Sequence, residues 1–297
     1  MRRGEAAAFM HGRYIPAGGD NPFLGVSRPV PDPAAPPLPM PLPPDLPPAT
    51  LALLFVVAVI AGTVDAIAGG GGLLTLPALL SAGLPAPVAL ATNKLQGTFG
   101  SGSATWHYVQ RGAVDPRECV FGGALTALGA IGGTLAVRVV DPALLGDLIP
   151  WLLGGIVVYF IFRPQLGESS RHHRMEPRAF YLVFGLLLGA YDGFFGPGVG
   201  SFWTVAFIVL LGHDFVRAAA HTKVMNFSSN VASLAVFILG GLVAWLPGLT
   251  MAAGQVIGGR LGAHLAMTRG AKFVRPIFLA MAGLIVAKLI HRNYFGG

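Results

Sequence analysis

Two lysines lie inside apolar stretches of this sequence, and their position suggests a site for an anion. Lys94 belongs to the apolar segment 86–110 and Lys223 to the segment 214–240. A lysine within a membrane segment costs about 2.5–3.5 kcal/mol on insertion scales, so it normally faces a partner or a water-filled cavity. An ammonium group is also what a desolvated anionic head group needs. The alternative interpretation is that both side chains extend to a membrane interface near a helix start.

Hydroxyl and amide side chains surround each lysine in the sequence. Such groups can donate hydrogen bonds to an anion that has lost its water. We therefore predict one substrate-binding site that contains both lysines and their polar neighbours. These neighbours are Thr92, Asn93, Gln96, Thr222, Asn226, Ser229 and Asn230.

Two glycine-rich runs, at 69–72 and 196–200, interrupt apolar stretches. Each glycine costs about 1 kcal/mol in a helix relative to alanine, so we expect irregular backbone there. Irregular backbone at membrane depth is tolerated only when it is buried in protein or lines a cavity. A loop that leads into a helix presents N–H groups and a positive helix end to an anion, whereas close helix packing is the other interpretation. The predicted substrate-binding glycines are Gly70, Gly71, Gly196 and Gly198.

Asp65 and Asp192 precede the two glycine runs at equivalent places. A carboxylate inside a membrane can bind a coupling proton or ion, or it can compensate a lysine. Both interpretations stay open. The sequence holds no paired nucleophile and base and no metal-ligand spacing, so we expect no catalytic residue, no metal and no cofactor.

The composition predicts an all-α integral membrane protein, a polytopic helical bundle. Hydrophobic residues make up 54% of the chain and charged residues 11%, against roughly 25% charged in an ordinary soluble domain. Apolar stretches recur from 51 to 290, and several reach the roughly 20 residues that cross a bilayer. The formal net charge is +7, and basic residues cluster in two connections, with Arg163, Arg171, Arg174 and Arg178 in one and Arg269, Lys272 and Arg275 in the other. That is the pattern of cytoplasmic loops rather than of a nucleic-acid surface.

The chain is predicted to consist of two homologous halves with Gly-rich broken helices. Residues 62–71 align with 189–198, 91–94 with 220–223, and 131–133 with 257–259. Internal repeats of this kind are typical of transporters. The predicted apolar segments are 51–67, 73–84, 86–110, 117–140 and 146–163, followed by 179–195, 200–212, 214–240, 247–267 and 273–291. The predicted regions are a disordered Pro-rich tail at 1–49, a first repeat at 50–164, a cytoplasmic basic connection at 165–178 and a second repeat at 179–297.

The loop charges predict opposite orientations for the halves. If the basic stretches 163–178 and 268–275 both face the cytoplasm, an even number of crossings separates them. The less basic stretch 138–147 then faces outward. The result is an inverted repeat with both termini outside.

Four ordered motifs make the chain similar to a known family. They are Asp-Ala-Ile-Ala-Gly-Gly-Gly-Gly-Leu-Leu-Thr-Leu-Pro at 65–77, Ala-Leu-Ala-Thr-Asn-Lys-Leu-Gln-Gly at 89–97, Gly-Ala-Tyr-Asp-Gly-Phe-Phe-Gly-Pro-Gly at 189–198 and Ala-His-Thr-Lys-Val-Met-Asn-Phe-Ser-Ser-Asn at 220–230. From about 51 to 290 the chain resembles the TauE/SafE family of sulfite exporters, also called the TSUP permeases, and within it the YfcA-like branch. The resemblance implies a multi-pass permease of the bacterial inner membrane that moves sulfite, sulfonates, sulfoacetate-like compounds or other organic anions.

The function expected from residues and resemblance together is a secondary carrier of small anions, with protons as candidate coupling ions. An anion channel is the alternative, and a membrane-embedded enzyme is weaker because a nucleophile with its base is lacking. The expected partners are the anionic substrate and the lipid bilayer, without nucleic acid. The sequence leaves open whether the protein forms a homo-oligomer.

Overall fold

Helices form all the regular secondary structure of the residues that the structure describes, and no strand occurs among them. The computed structural model describes residues 46–141 and 174–269, with Leu144 and Trp151 as single positions. The predicted segment 273–291, the segment 146–163 apart from Trp151, nearly all of the Pro-rich tail and most of the basic connection lie outside the described residues.

Nine α-helices and one π-helical turn follow in two groups within the described ranges. The first group is α1 (Pro48–Ala68), α2 (Gly72–Ser81), α3 (Ala86–Gln110) and α4 (Val120–Arg138). The second begins with α5 (Pro177–Phe180), which continues through a π-helical turn (Tyr181–Gly185) into α6 (Leu186–Phe194). It ends with α7 (Val199–Leu210), α8 (Phe215–Leu239) and α9 (Trp245–Arg269). The all-α fold expected from the sequence is confirmed.

Local sequence explains where several helices begin and end. Pro48 occupies the first turn of α1, where its missing N–H breaks no helical bond. The side chain of Asp214 accepts a hydrogen bond from the Arg217 N–H at 2.9 Å and caps the start of α8. At the other end of α1, Gly69 has φ +74°, a backbone conformation that favours glycine and stops the helix.

The outer surface of the helices is apolar, as a membrane protein requires. By length and composition, α1, α4 and α8 can each cross a membrane. Large apolar side chains such as Leu53 of α1, Leu128 of α4 and Leu187 of α6 are exposed on the helix surfaces. Outward-facing apolar side chains on several helices are a liability in water and favourable in lipid. The protein is therefore a multi-pass membrane protein.

Glycines set the closest contact between the two groups of helices. Gly254, Gly258 and Gly262 of α9 lie on successive turns of α1, and a Cβ at any of them would meet the α1 backbone. On the other side, Gly129 and Gly133 of α4 pack in the same way on α6. Small residues at such spacing let membrane helices approach closely. Thus α1 of the first group packs against α9, and α6 of the second group packs against α4.

The order of these contacts fixes the relative directions of α1, α3 and α9. Successive glycines of α9 meet successive turns of α1, so α9 and α1 run in the same direction. Gly248 lies against Leu95 and Gly259 against Gly100, so α9 and α3 also run together.

The central helices α3 and α8 run in opposite directions. Gly97 faces Asn230, and five residues later Gly102 faces Phe227. The corresponding helices α3 and α8 of the two halves therefore have opposite polarity. This arrangement supports the inverted repeat, which stays a prediction.

Candidate anion site

Two buried ion pairs connect the halves of the chain. Lys94 Nζ lies 2.5 Å from Asp192 Oδ1, and Lys223 Nζ lies 2.7 Å from Asp65 Oδ2. The lysine side chains are only 3% and 1% exposed, respectively. The interface alternative requires lysine side chains that extend to the surface, and these two side chains are buried instead. Each lysine is neutralised by the aspartate of the other half, so the four groups have a formal charge of zero.

The remaining carboxylate oxygens also accept hydrogen bonds. Asp65 Oδ1 accepts one from the Gly71 N–H at 2.9 Å, at the N-terminus of α2. Asp192 Oδ2 accepts one from the hydroxyl of Ser229. A buried charge is tolerated only when it is paired and its remaining lone pairs are satisfied. Both aspartates meet that condition.

A polar cavity lies between the ion pairs. Its volume is about 40 Å³, whereas one water molecule needs roughly 10–15 Å³. Both aspartates line it, together with the predicted glycines of the two breaks. Its amide side chains are Asn93, Gln96, Asn226, Asn230 and Gln255. The cavity can hold a small hydrophilic solute among hydrogen-bonding groups.

The two backbone breaks meet at this cavity. The residues that begin α2 and α7 line it, so both helix N-termini point toward its contents. Gly198, which precedes α7, has φ +85°. Gly69 and Gly200 touch so closely that a Cβ at Gly69 would overlap the Gly200 backbone. The positive ends of two helices therefore converge where an anion would lie.

Five predicted site residues do not line the cavity: Lys94 and Lys223, whose ammonium groups pair with the lining aspartates, and three residues with hydroxyl groups. Thr92 Oγ1 accepts a hydrogen bond from the Ala244 N–H at 3.1 Å, immediately before α9 begins. The hydroxyls of Thr222 and Thr204 lie 3.1 Å apart and link α8 to α7. The third, Ser229, contacts Asp192. These hydroxyl groups hold the helices and the carboxylate in place around the cavity.

A matched contact occurs between α2 and α3. The Thr75 hydroxyl donates to Asn93 Oδ1 at 2.6 Å, and the amide of Gln96 donates to the same oxygen at 2.7 Å. Thr75 and Asn93 each lie 129 positions before Thr204 and Thr222. The same pair of helices is thus joined at the same place in each half. Sequence inspection had not placed Thr75 in this network.

Gln255 is the cavity residue that sequence reasoning missed most clearly. It projects from α9 toward Gly62 of α1 and Gly100 of α3, where a Cβ at either position would overlap its Oε1 atom. A glutamine among the glycines and alanines of α9 was the available signal. The repeat alignment gave no second copy, because Gly129 occupies the matched position of α4.

Two buried acceptor atoms in the cavity wall have no hydrogen-bond partner among the described residues. They are Oε1 of Gln96 and Oδ1 of Asn226. A buried unpaired amide oxygen is costly, so each one calls for water or a ligand group at this place. In the part of the chain that the structure describes, no cluster of His, Cys, Asp and Glu could hold a metal ion.

Comparison with known proteins gives a consistent assignment. The family described as Sulfite exporter TauE/SafE matches residues 54–289. A probable membrane transporter protein of Haemophilus influenzae is 45% identical over 245 residues, covering 81% of this chain and 94% of that protein. The probable membrane transporter protein YfcA of Escherichia coli K12 is 43% identical over 244 residues, covering 82% of this chain and 91% of that protein.

More distant similarity extends to another bacterium. The probable membrane transporter protein YunE of Bacillus subtilis is 24% identical over 272 residues. No solved structure matches the chain. The relatives are named as transporters rather than enzymes, and the family match covers the helices that build the cavity. The chain is a membrane transporter that belongs to the TauE/SafE sulfite exporter family.

Proposed function

We propose that this transporter is a secondary permease for small organic or sulfur-containing anions, such as sulfite, sulfonates or sulfoacetate, in the bacterial inner membrane. The observation that carries the proposal is the polar cavity between two buried lysine–aspartate pairs. Two helix N-termini and the amide side chains of Asn93, Asn226, Asn230 and Gln255 offer donors to an anion there, whereas the Gln96 amide already donates to its neighbours. Backbone N–H groups at helix starts suit oxyanions in particular.

The charge balance of the cavity favours coupling of the anion to a proton. The four charged groups are already neutral as two pairs, so an anion alone would add an uncompensated charge in a poorly solvated site. The cost of such a charge is several kcal/mol even after relaxation. A proton that binds one aspartate releases the paired lysine, whose ammonium group can then bind the anion. Anion and proton would therefore enter the site together.

The placement of the pairs favours a carrier over a channel. Helices α3 and α8 cross where Gly97 and Gly102 face Asn230 and Phe227, and they run in opposite directions. Each lysine lies on the N-terminal side of the crossing in its own helix. The two pairs consequently lie on opposite sides of the crossing. Opening one pair at a time would expose the cavity to one side of the membrane at a time, as alternating access requires.

The first experiment is a binding screen of purified protein against sulfite, thiosulfate, taurine, sulfoacetate and simple carboxylates, with thermal shift as the measurement. A ligand of the native state raises the melting temperature by mass action. We expect a concentration-dependent shift with at least one sulfur oxyanion or sulfonate. No shift with any of these anions, in protein that remains monodisperse, would contradict the proposed substrate class.

Flux into proteoliposomes then separates the carrier from the channel. A carrier gives uptake that saturates with anion concentration and is stimulated by an inward proton gradient. A channel gives flux that follows the membrane voltage without such saturation. The second result would replace the carrier with the anion channel.

A further inference from the structure

We infer that Asp65, and not Asp192, is the carboxylate that exchanges the coupled proton, and that Lys223 is the lysine released to bind the anion. This inference rests on the proposed function and adds an assignment within the same site. The halves are similar in sequence here, but the two ion pairs differ in their surroundings.

The first difference is access to water. The side chain of Asp65 is 24% exposed, whereas that of Asp192 is 4% exposed. A proton reaches a buried carboxylate only through water or a chain of donors, and a partly exposed carboxylate at a cavity wall has that route. Both aspartates line the cavity, and in this conformation the Asp65 carboxylate is the more accessible of the two.

The second difference is one side chain at matched positions of α3 and α8. Ser229 donates its hydroxyl hydrogen bond to Asp192 Oδ2. The position 129 residues earlier is Gly100, so the first half supplies no such hydroxyl to Asp65. A side chain at Gly100 would overlap Gln255. Asp192 is therefore held by Lys94 and the Ser229 hydroxyl, whereas Asp65 is held by Lys223 and the Gly71 N–H, and the space beside Gly100 contains the neutral amide of Gln255.

Among the described groups that pack against the end of α1, Lys223 is the cation that contacts Asp65. From α3, the Tyr108 hydroxyl donates to the Ala66 carbonyl at 2.8 Å. From α7, the Ser201 hydroxyl donates to the Ala68 carbonyl at 2.6 Å. From α2, the Gly71 N–H binds the Asp65 carboxylate. The basic side chains of α9 near this region, Arg260 and His264, lie beside His107 of α3.

Protonation of Asp65 has a direct consequence for anion binding. A proton taken from water on one side neutralises the carboxylate and leaves the Lys223 ammonium without its counter-ion. A Cβ at Gly200, the second residue of α7, would lie 3.5 Å from Lys223 Nζ, so the ammonium is close to that helix start. An anion there neutralises the lysine. One proton and one negative charge cross together, and both leave when Asp65 and Lys223 pair again.

The test on unaltered protein is modification with dicyclohexylcarbodiimide, which reacts with protonated carboxyl groups in apolar surroundings. The modified residue is identified by peptide mass spectrometry over a range of pH. We expect the adduct at Asp65, with less of it as pH rises. In Ser229→Ala, Asp192 should become more reactive because its hydroxyl partner is lost. A wild-type adduct mainly at Asp192 would overturn the inference.

Transport of [³⁵S]sulfite in proteoliposomes supplies an independent readout. A gradient of one pH unit can drive about tenfold accumulation when one proton accompanies each negative charge. We expect Asp65→Asn to lose this accumulation and to retain sulfite counterflow, which needs no net proton movement. The control is Glu118→Gln, since the Glu118 carboxylate is 61% exposed and does not line the cavity. This variant should accumulate sulfite as the wild type does.

The outcomes separate the two proposals. If wild type and Asp65→Asn accumulate sulfite equally, the assignment of Asp65 is wrong while the anion carrier stands. If the wild type neither accumulates nor exchanges sulfite, the proposed function fails for this anion, and the carbodiimide adduct still decides which carboxylate binds a proton.

Discussion

At the residue scale, the chemistry of the site depends on two lysines whose charges are cancelled from across the molecule. Removal of one partner from a buried ion pair typically costs about 3–5 kcal/mol, because the other charge is left without compensation. Lys94 and Lys223 thus contribute to stability as well as to the proposed binding of anions. Experiments on them must separate the two effects.

Lys223→Gln is expected to raise the apparent Kd for the anion about ten- to a hundredfold, the effect of losing one charge-assisted hydrogen bond of about 1.5–3 kcal/mol. Lys223→Arg keeps the charge and should recover part of the loss. Calorimetric binding on folded, monodisperse variants measures the effect. Lys223→Gln combined with Asp65→Asn removes the uncompensated charge and serves as the stability control. Unaltered affinity in both Lys94→Gln and Lys223→Gln would exclude the lysines from the anion site.

Gly100→Ala tests the role of Gln255. The new methyl group would overlap the Gln255 amide, which is the far end of a flexible side chain and can turn away. We expect a lower affinity for the anion with only a small change in melting temperature. Gly132→Ala is a matched control, because Gly132 also lies in a helix and a Cβ there meets nothing within 4 Å. Equal affinities in the two variants would argue against an amide contact from Gln255.

Residue types and spacing singled out the lysines and aspartates that form the two ion pairs and most of the residues that line the cavity, and their role in binding stays a prediction. They could not show that each lysine pairs with the aspartate of the other half. Lys94 and Asp192 are 98 positions apart and meet only through packing of α3 and α6 around α8. They also could not distinguish Asn93, which lines the cavity, from Thr92, which anchors the start of α9. Adjacent helical residues point in directions that differ by about 100°.

At the scale of elements, the boundaries of the described helices agree with the eight predicted apolar segments in those ranges to within a few residues. The breaks after α1 and before α7 coincide with the glycine runs. The π-helical turn at Tyr181–Gly185 was not expected, since no proline or glycine run marks it. It lies where the Tyr181 ring packs against Gly122 of α4, which is a tertiary contact.

Substitution in the second break tests whether the backbone there approaches a ligand. Gly198→Leu introduces a side chain at φ +85° beside the cavity, and we expect transport to be abolished while membrane insertion is retained. Gly83→Leu is the matched control, since Gly83 has φ +92° but a Cβ there meets nothing within 4 Å. The backbone strain is common to both variants, at about 1–2 kcal/mol. Wild-type flux in Gly198→Leu would show that this glycine only serves packing.

At the scale of the whole molecule, helix polarity supports the orientation expected from loop charges. The ends of α3 and α8 lie at opposite ends of the bundle, because these helices are antiparallel. The loop after α3 contains Arg111 and Arg117, whereas the loop after α8 has no basic residue. The first loop is the one expected in the cytoplasm.

Single-cysteine labelling measures this orientation directly. Gly112→Cys and Gly241→Cys occupy equivalent loop positions, each with open space around the new side chain. We expect the first to react from the cytoplasmic side and the second from outside. The background is Cys119→Ser, although burial raises the pKa of the Cys119 thiol to about 12 and makes it unreactive near neutral pH. Labelling of both new cysteines from one side would exclude the inverted arrangement.

Each ion pair joins a residue of the first half to a residue of the second half, which has a consequence for the synthesis of the protein. Lys94 is translated 98 residues before Asp192, and Asp65 is translated 158 residues before Lys223. At a translation rate of about 5–20 residues per second, several seconds or more pass between the synthesis of the first charged residue and that of its final counter-ion. During that interval the nascent first half carries an ammonium group and a carboxylate within its apolar segments. Either these two opposite charges neutralise each other temporarily, or the insertion machinery retains α1 and α3 until the second half of the polypeptide arrives.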